Sequence, residues 1–196
     1  MAKKLESTLI NMVLSLVLIS FGMSAALAIV YIKTKGPIEA AAMKKELQAI
    51  IDVLPEFDSD PVANRIEKDG VVVYPVTNHD ELAGYAVKTY TDNGFGGRVE
   101  LMAGFLPDGT INGISVLQQK ETPGLGTRMT DPKFSGQFIG KNPESYKLTV
   151  KKDGGDVDAI TAATISSRAY CDAMQRAYNT LIQVTDSVSN VSAAVH

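Results

Sequence analysis

The sequence predicts an α+β domain with a mainly antiparallel sheet and flanking helices, carried behind one N-terminal transmembrane helix. Three observations predict this. No charged residue falls between Glu6 and Lys33. From about residue 70 the apolar pattern shortens to β-rich runs separated by turn residues: Val71–Tyr74, Gly84–Tyr90, Arg98–Phe105, Ile111–Gln119 and Tyr146–Val150. Later, Ala169, Tyr170, Ala173, Met174, Ala177, Tyr178, Leu181 and Ile182 recur at helical spacing.

The first element follows from length. Leu9–Ile32 is apolar apart from Asn11 and a few serines. At ~1.5 Å rise per residue it spans roughly 36 Å, enough for a hydrocarbon core of about 30 Å. Ala26-Leu27-Ala28 imitates a signal-peptidase site, but the stretch is too long for a signal h-region and Lys33 and Lys35 flank its far end. It reads as an anchor over 9–32. Lys3 and Lys4 before it balance Lys33 and Lys35 after it, so the lysine count leaves the orientation open.

Gly36-Pro37 is expected to end the span and restart a helix, giving a stalk helix and linker over 33–69. Ile38, Ala42, Leu47, Ile50, Ile51 and Leu54 carry its apolar stripe as far as Pro55. The soluble domain is expected over 70–187. Within it, Pro107-Asp108-Gly109 marks a hairpin. Thr130-Asp131-Pro132 starts a short helix presenting Phe134 and Phe138. The last helix is expected from about Ser166 to Val184, with a small-residue tail over 188–196.

Composition excludes several classes. A net charge of −3 offers no basic face for nucleic acid. The acidic run Asp153–Asp158 reads as a solvated loop. Cys171 is the single cysteine among 196 residues, which excludes an intrachain disulfide and any multi-thiolate zinc or iron–sulfur centre. His79 and His196 lack metal-ligand spacing. No metal site is expected, and redox chemistry in this chain would need an organic cofactor or a partner.

Two segments stand out. Glu121-Thr122-Pro123-Gly124-Leu125-Gly126 is a rigid loop whose backbone N–H groups could approach a ligand. It lacks the third glycine of a dinucleotide fingerprint and the Gly-Lys-Ser/Thr of a phosphate loop, as does Gly94-Phe95-Gly96-Gly97. Taken alone, each reads as a turn. Asp158-Ala159-Ile160-Thr161-Ala162-Ala163-Thr164-Ile165-Ser166-Ser167 sets hydroxyls and small residues at a helix start, where free donors favour a phosphate. Ordinary N-capping by Thr164, Ser166 or Ser167 explains the same pattern, and spacing does not separate the two.

The run Asp158-x-x-Thr161-Ala162-Ala163-Thr164 resembles the D-x-x-[ST]-G-A-T flavinylation motif of the FMN-binding domain family. Glu121 to Gly126 is similar to that family's E-T-P-G-L-G loop, and Gly96, Gly97 and Gly109 fall where the family has glycines. The likeness covers about residues 84–180, with Ala162 standing where glycine is usual. It implies FMN bound covalently as a phosphoester on Thr164, attached by a flavin transferase from FAD. Glu121, Thr122, Gly124, Leu125, Gly126, Thr161, Ala162, Ala163 and Ile165 are the further cofactor-binding residues it implies.

One span followed by one such domain resembles the G-subunit family of the Rnf electron-transport complex, whose close relative is the C subunit of Na+-translocating NADH:quinone oxidoreductase. The resemblance implies a non-catalytic redox subunit in an ion-translocating ferredoxin:NAD+ oxidoreductase. Its partners would be other membrane and redox subunits. It also implies residues 1–8 in the cytoplasm and the flavin domain on the extracytoplasmic side of the inner membrane. The alternatives are the C subunit of Na+-translocating NADH:quinone oxidoreductase and, from a different class, a membrane-tethered flavin-domain sensor or scaffold module without redox turnover.

Overall fold

The computed structural model describes residues 8–193, with side chains described through residue 187. The expected 1–8 segment, apart from Thr8, therefore lies outside the described residues. Two compact units divide between Lys44 and Lys45.

Helix α1 covers Leu9–Val53. Its apolar N-terminal portion is long enough to cross a membrane, and none of that stretch is buried within the chain. Leu16, Phe21, Leu27 and Ile32 are all exposed, an apolar surface that water does not tolerate on this scale. The helix break expected at Gly36-Pro37 is absent, because Pro37 lies inside α1. Its missing N–H deprives the Lys33 carbonyl of a partner, but both residues are exposed, so that carbonyl can be solvated instead.

The second unit is built on a five-stranded antiparallel meander in the order β1-β2-β3-β4-β5. The strands are β1 (Ile66–Lys68), β2 (Val71–Asn78), β3 (Glu81–Gly94), β4 (Gly97–Phe105) and β5 (Ile111–Gln118). Four of the five expected runs are strands. β1 was not among them, although Asp69-Gly70 announces it: both residues take positive φ, and Lys68 pairs with Val71 across a two-residue hairpin. Tyr146–Val150, the fifth expected run, forms no ladder. Its backbone is satisfied locally: the Asp156 carboxylate accepts the Lys147 N–H at 2.7 Å, and the Lys151 N–H reaches the Val157 carbonyl at 2.8 Å. Leu148 and Val150 are still buried, so the apolar alternation served the core without a strand.

Helix α2 (Pro132–Ser135) is a single short turn, and α3 (Thr164–Ala193) is the long closing helix. α3 continues beyond its expected end near Val184, and residues 194–196 of the expected tail lie outside the described residues. One sheet face packs against α3 and α2 through Val73, Val87, Leu101, Phe105, Phe134, Phe138, Tyr170, Met174 and Leu181. The opposite face takes the last turns of α1, with Ala49, Ile50, Val53 and Leu54 against Tyr74, Val76, Ala86 and Met102.

That second contact is so close that β4 and β5 must give up side chains. A Cβ on Gly104 would lie 2.0 Å from the Val53 carbonyl oxygen, and one on Gly113 would lie 2.7 Å from Val53 Cα. Asn112 Nδ2 then donates to the same carbonyl at 2.8 Å, satisfying an end-of-helix acceptor.

Beside this contact, Lys88 and the Tyr74 hydroxyl both donate to the Glu46 carboxylate. Burial alone would raise the Glu46 pKa, but the hydrogen bonds from Lys88 and Tyr74 outweigh it and hold it below the ordinary carboxylate range. A depressed folded pKa gives stability that is complete above the unfolded value and disappears as pH falls through the folded one. Glu46→Gln is therefore expected to lower unfolding free energy by about 1–2 kcal/mol at pH 7 and to flatten its decline below about pH 5. Denaturant titrations of the detergent-solubilised protein at several pH values check this.

Candidate functional site

Two turns of the same kind face each other at the start of α3. In Thr122-Pro123-Gly124-Leu125, the Leu125 N–H closes onto the Thr122 carbonyl at 3.1 Å, with Gly124 at φ +76°. In Ile160-Thr161-Ala162-Ala163, the Ala163 N–H closes onto the Ile160 carbonyl at 3.0 Å, with Ala162 at φ +62°. Positive φ at the third position is the signature of a type II turn, which favours glycine there. The first turn has it and the second has alanine.

Side chains fix both turns. Thr127 Oγ1 accepts the Gly124 N–H at 2.9 Å. Ser167 Oγ accepts the Ile160 N–H at 2.9 Å and donates to the Ala163 carbonyl at 3.0 Å. Glu121, only 5% exposed, spans the site. One carboxylate oxygen accepts the Gly96 N–H at 3.1 Å and the other accepts the Ser166 hydroxyl at 2.7 Å. This carboxylate joins the β3–β4 hairpin tip to the first turn of α3. Farther along, Arg168 makes a paired contact with Asp153 at 2.7 and 2.8 Å, which holds the Asp153 carboxyl below its usual range.

Between the turns lies a cavity of about 350 Å³, within the size range of small-molecule sites. Glu121, Thr122, Leu125, Gly126, Ala162, Ala163, Thr164 and Ile165, all expected from the sequence, line it. Gly124 and Thr161 do not. Gly124 shapes its turn from outside, and Thr161 lines a neighbouring depression with Arg128, Lys133 and Asp158. Asp158 is itself exposed and paired with Lys151 at 2.8 Å.

Sequence reasoning missed two lining residues, Phe95 and Ser166. Phe95, 68% exposed at a hairpin tip, was legible as a large apolar residue inside a glycine-rich turn. Ser166 resembled a helix cap, and only the fold brings it to Glu121.

The cavity has an apolar rim and a polar floor. Phe95, Leu125 and Ile165 are all more than a third exposed around it. Helix α3 begins at Thr164, and its first closing bond runs from the Ser167 N–H to the Ala163 carbonyl. The N–H groups of Thr164, Ile165 and Ser166 are thus the unpaired donors of the first turn, with the helix dipole behind them. Among the described residues, no side-chain hydrogen bond involves the Thr164 hydroxyl, which leaves it available at the cavity wall.

Ala162 carries a measurable penalty. An L-residue in the left-handed region costs roughly 1–2 kcal/mol, while glycine gives back part of that through unfolded-chain entropy of about 0.4–1 kcal/mol. Ala162→Gly is expected to raise stability by about 0.5–1 kcal/mol, seen as a later denaturant midpoint with an unchanged slope.

The chain matches the FMN-binding domain family over residues 94–179. It is 36% identical over 174 residues to the G subunit of an ion-translocating oxidoreductase complex from Methanosarcina acetivorans, covering 85% of this chain and 91% of that one. It is 32% identical over 194 residues to the G subunit of a Na(+)-translocating ferredoxin:NAD(+) oxidoreductase complex from Acetobacterium woodii, covering 90% and 91%. The crystal structure of Shewanella oneidensis NqrC is similar at 23% identity and a TM-score of 0.44, over 69% of this chain and 74% of that one.

Proposed function

The chain belongs to the G-subunit family of ion-translocating oxidoreductase complexes, and from that premise we propose that it is a membrane-anchored electron carrier holding FMN as a phosphoester on Thr164. The observation that carries the reading is the position of Thr164. Among the described residues its hydroxyl has no side-chain hydrogen bond, and it sits at the first turn of α3, on the wall of a cavity large enough for a cofactor.

The residues present fit that group. The unpaired N–H groups of Thr164, Ile165 and Ser166 suit an esterified phosphate. Phe95, Leu125 and Ile165 offer apolar surface to a flat ring. Gly126 lets the loop close against the Glu121–Ser166 pair, since a Cβ there would lie 2.5 Å from both Glu121 Oε2 and Ser166 Oγ. Bound flavin supplies reversible one- or two-electron redox chemistry. The protein's part is to hold the phosphate at the helix start and to wall the ring from water on one side. Glu121, with both oxygens occupied by Gly96 and Ser166, acts here as a brace between the walls rather than as a contact to the ring.

Covalent attachment suits a domain on the extracytoplasmic side of the membrane, where free FMN is not assured. A tethered ligand keeps an effective concentration on the order of mM. In this reading a flavin transferase loads Thr164, and neighbouring subunits of a ferredoxin:NAD+ oxidoreductase reduce and reoxidise the carrier. Mass mapping of the peptide containing Thr164, taken from native membranes, tests it. One FMN less water on that peptide is the expected result; an unmodified peptide from colourless material, with the transferase active, would remove the carrier role.

A further inference from the structure

The turn Ile160-Thr161-Ala162-Ala163 is held at its ends and free at its centre. Ser167, fully buried, accepts the Ile160 N–H on Oγ at 2.9 Å and donates to the Ala163 carbonyl at 3.0 Å. The Ala163 N–H closes the turn onto the Ile160 carbonyl at 3.0 Å, and both end residues are buried. Thr161 and Ala162, between them, are exposed. Among the described residues, neither the Thr161 carbonyl nor the Ala162 N–H has a hydrogen-bond partner.

That central peptide has two orientations compatible with everything that holds the ends. Type I and type II turns share the same closing bond. They differ by rotation of the peptide between the second and third residues, which carries the third residue from φ of about −90° to about +80°. The bonds made by Ser167 and the closing bond therefore survive the rotation. Solvent reaches the central peptide either way, so no desolvation opposes it. At φ +62° Ala162 carries the left-handed penalty of an L-residue, which type I does not impose. A conformation of this kind persists where its surroundings over-determine it, and the chain's own bonds leave the centre undetermined.

The position gives the rotation its consequence. Thr161 lines one depression and Ala162 lines the cofactor cavity, so the peptide joining them belongs to the wall between the two. Rotating it puts a donor where an acceptor stood. We propose that the Thr161–Ala162 peptide is a two-position group in this wall, exchanging between type I and type II in the unloaded chain, and that FMN seated in the cavity selects type II. The inference rests on the proposed function for the identity of the ligand, though not for its covalent attachment. A ligand that binds one of two forms has its affinity reduced by the fraction of that form, so residue 162 controls loading. Glycine enters the left-handed region freely and raises the fraction. A β-branched residue, for which that region is an outlier, lowers it.

NMR of the full chain in detergent tests this. A strong cross-peak between Thr161 Hα and the N–H of residue 162 marks type II, and one between the N–H groups of residues 161 and 162 marks type I. The unloaded native chain is expected to show both, and saturating free FMN to leave only the first. Ala162→Gly is expected to show the first alone, with flavin incorporation by an active transferase about two- to fivefold faster. Ala162→Val is expected to show the second alone and to keep the native denaturant midpoint, with incorporation about tenfold slower. A type II peak alone in the unloaded native chain, peaks that ignore FMN, or an Ala162→Val chain that unfolds early or loads at the native rate would each overturn the proposal. The peaks are read before any flavin is attached. An unmodified Thr164 beside peaks that respond to free FMN would defeat the carrier reading and leave this one standing.

Discussion

Thr164→Val is expected to abolish flavin attachment while leaving the fold in place. Valine matches threonine in shape and removes only the oxygen that would carry the phosphoester. Thr164 is partly buried and its hydroxyl has no partner among the described residues, so unfolding free energy should change by less than about 1 kcal/mol. When the protein is made together with an active flavin transferase, intact mass should show one FMN less water on the native chain and none on the variant. Thr164→Ser keeps an oxygen at the same helix position and should restore part of the modification. Thr161→Val is the matched control: Thr161 belongs to the neighbouring depression, and its loss should leave the flavin mass intact. If the valine protein at 164 retained the added mass, another residue would be the attachment point.

Gly126→Ala should produce the largest combined loss of stability and cofactor. The added methyl would sit 2.5 Å from Glu121 Oε2, 2.5 Å from Ser166 Oγ and 2.8 Å from Glu121 Cβ. None of these neighbours can yield easily, since Glu121 and Ser166 are almost fully buried and bonded to each other. Overpacking of a tight site costs about 1–3 kcal/mol, and displacing a buried carboxylate from a donor adds about 1.5–3 kcal/mol. A destabilisation of roughly 3 kcal/mol or more follows from these ranges, with flavin content falling at least tenfold in protein that still folds. Glu121→Gln offers a contrast. Its amide oxygen can still accept one hydrogen bond and its amide nitrogen can donate to Ser166, so it should lose much less. A Gly126→Ala protein as stable and as yellow as the native one would show that the turn moves freely away from α3.

Much of this arrangement was written in local sequence, and the parts that were not share a cause. Period-two alternation located β2 to β5, and turn residues such as Pro107-Asp108-Gly109 located their joins, because strands and hairpins depend on near neighbours. The same logic overreached at Tyr146–Val150, where alternate residues were buried but Asp156 supplied the hydrogen bonds a ladder would have given. It fell short at β1, which has only three residues. At the cavity, motif residues supplied both turns and Thr164. Ser166 and Phe95 came from segments whose roles only tertiary contact reveals. Even the alanine at 162, visible as a departure from glycine, acquired a physical meaning only when the backbone placed it at φ +62°.

The meander pairs each strand with its neighbour in the chain, so most of the sheet can assemble as the polypeptide is made. The cavity cannot. Its walls come from Phe95, from residues 121–126 and from residues 162–166, and the last of these lies at the head of the helix that closes the core. The threonine acquires its phosphate-friendly setting only when α3 has wound and docked. On the proposed reading, loading would therefore be a late event in the life of the molecule, and a bound flavin would mark a chain that has finished folding.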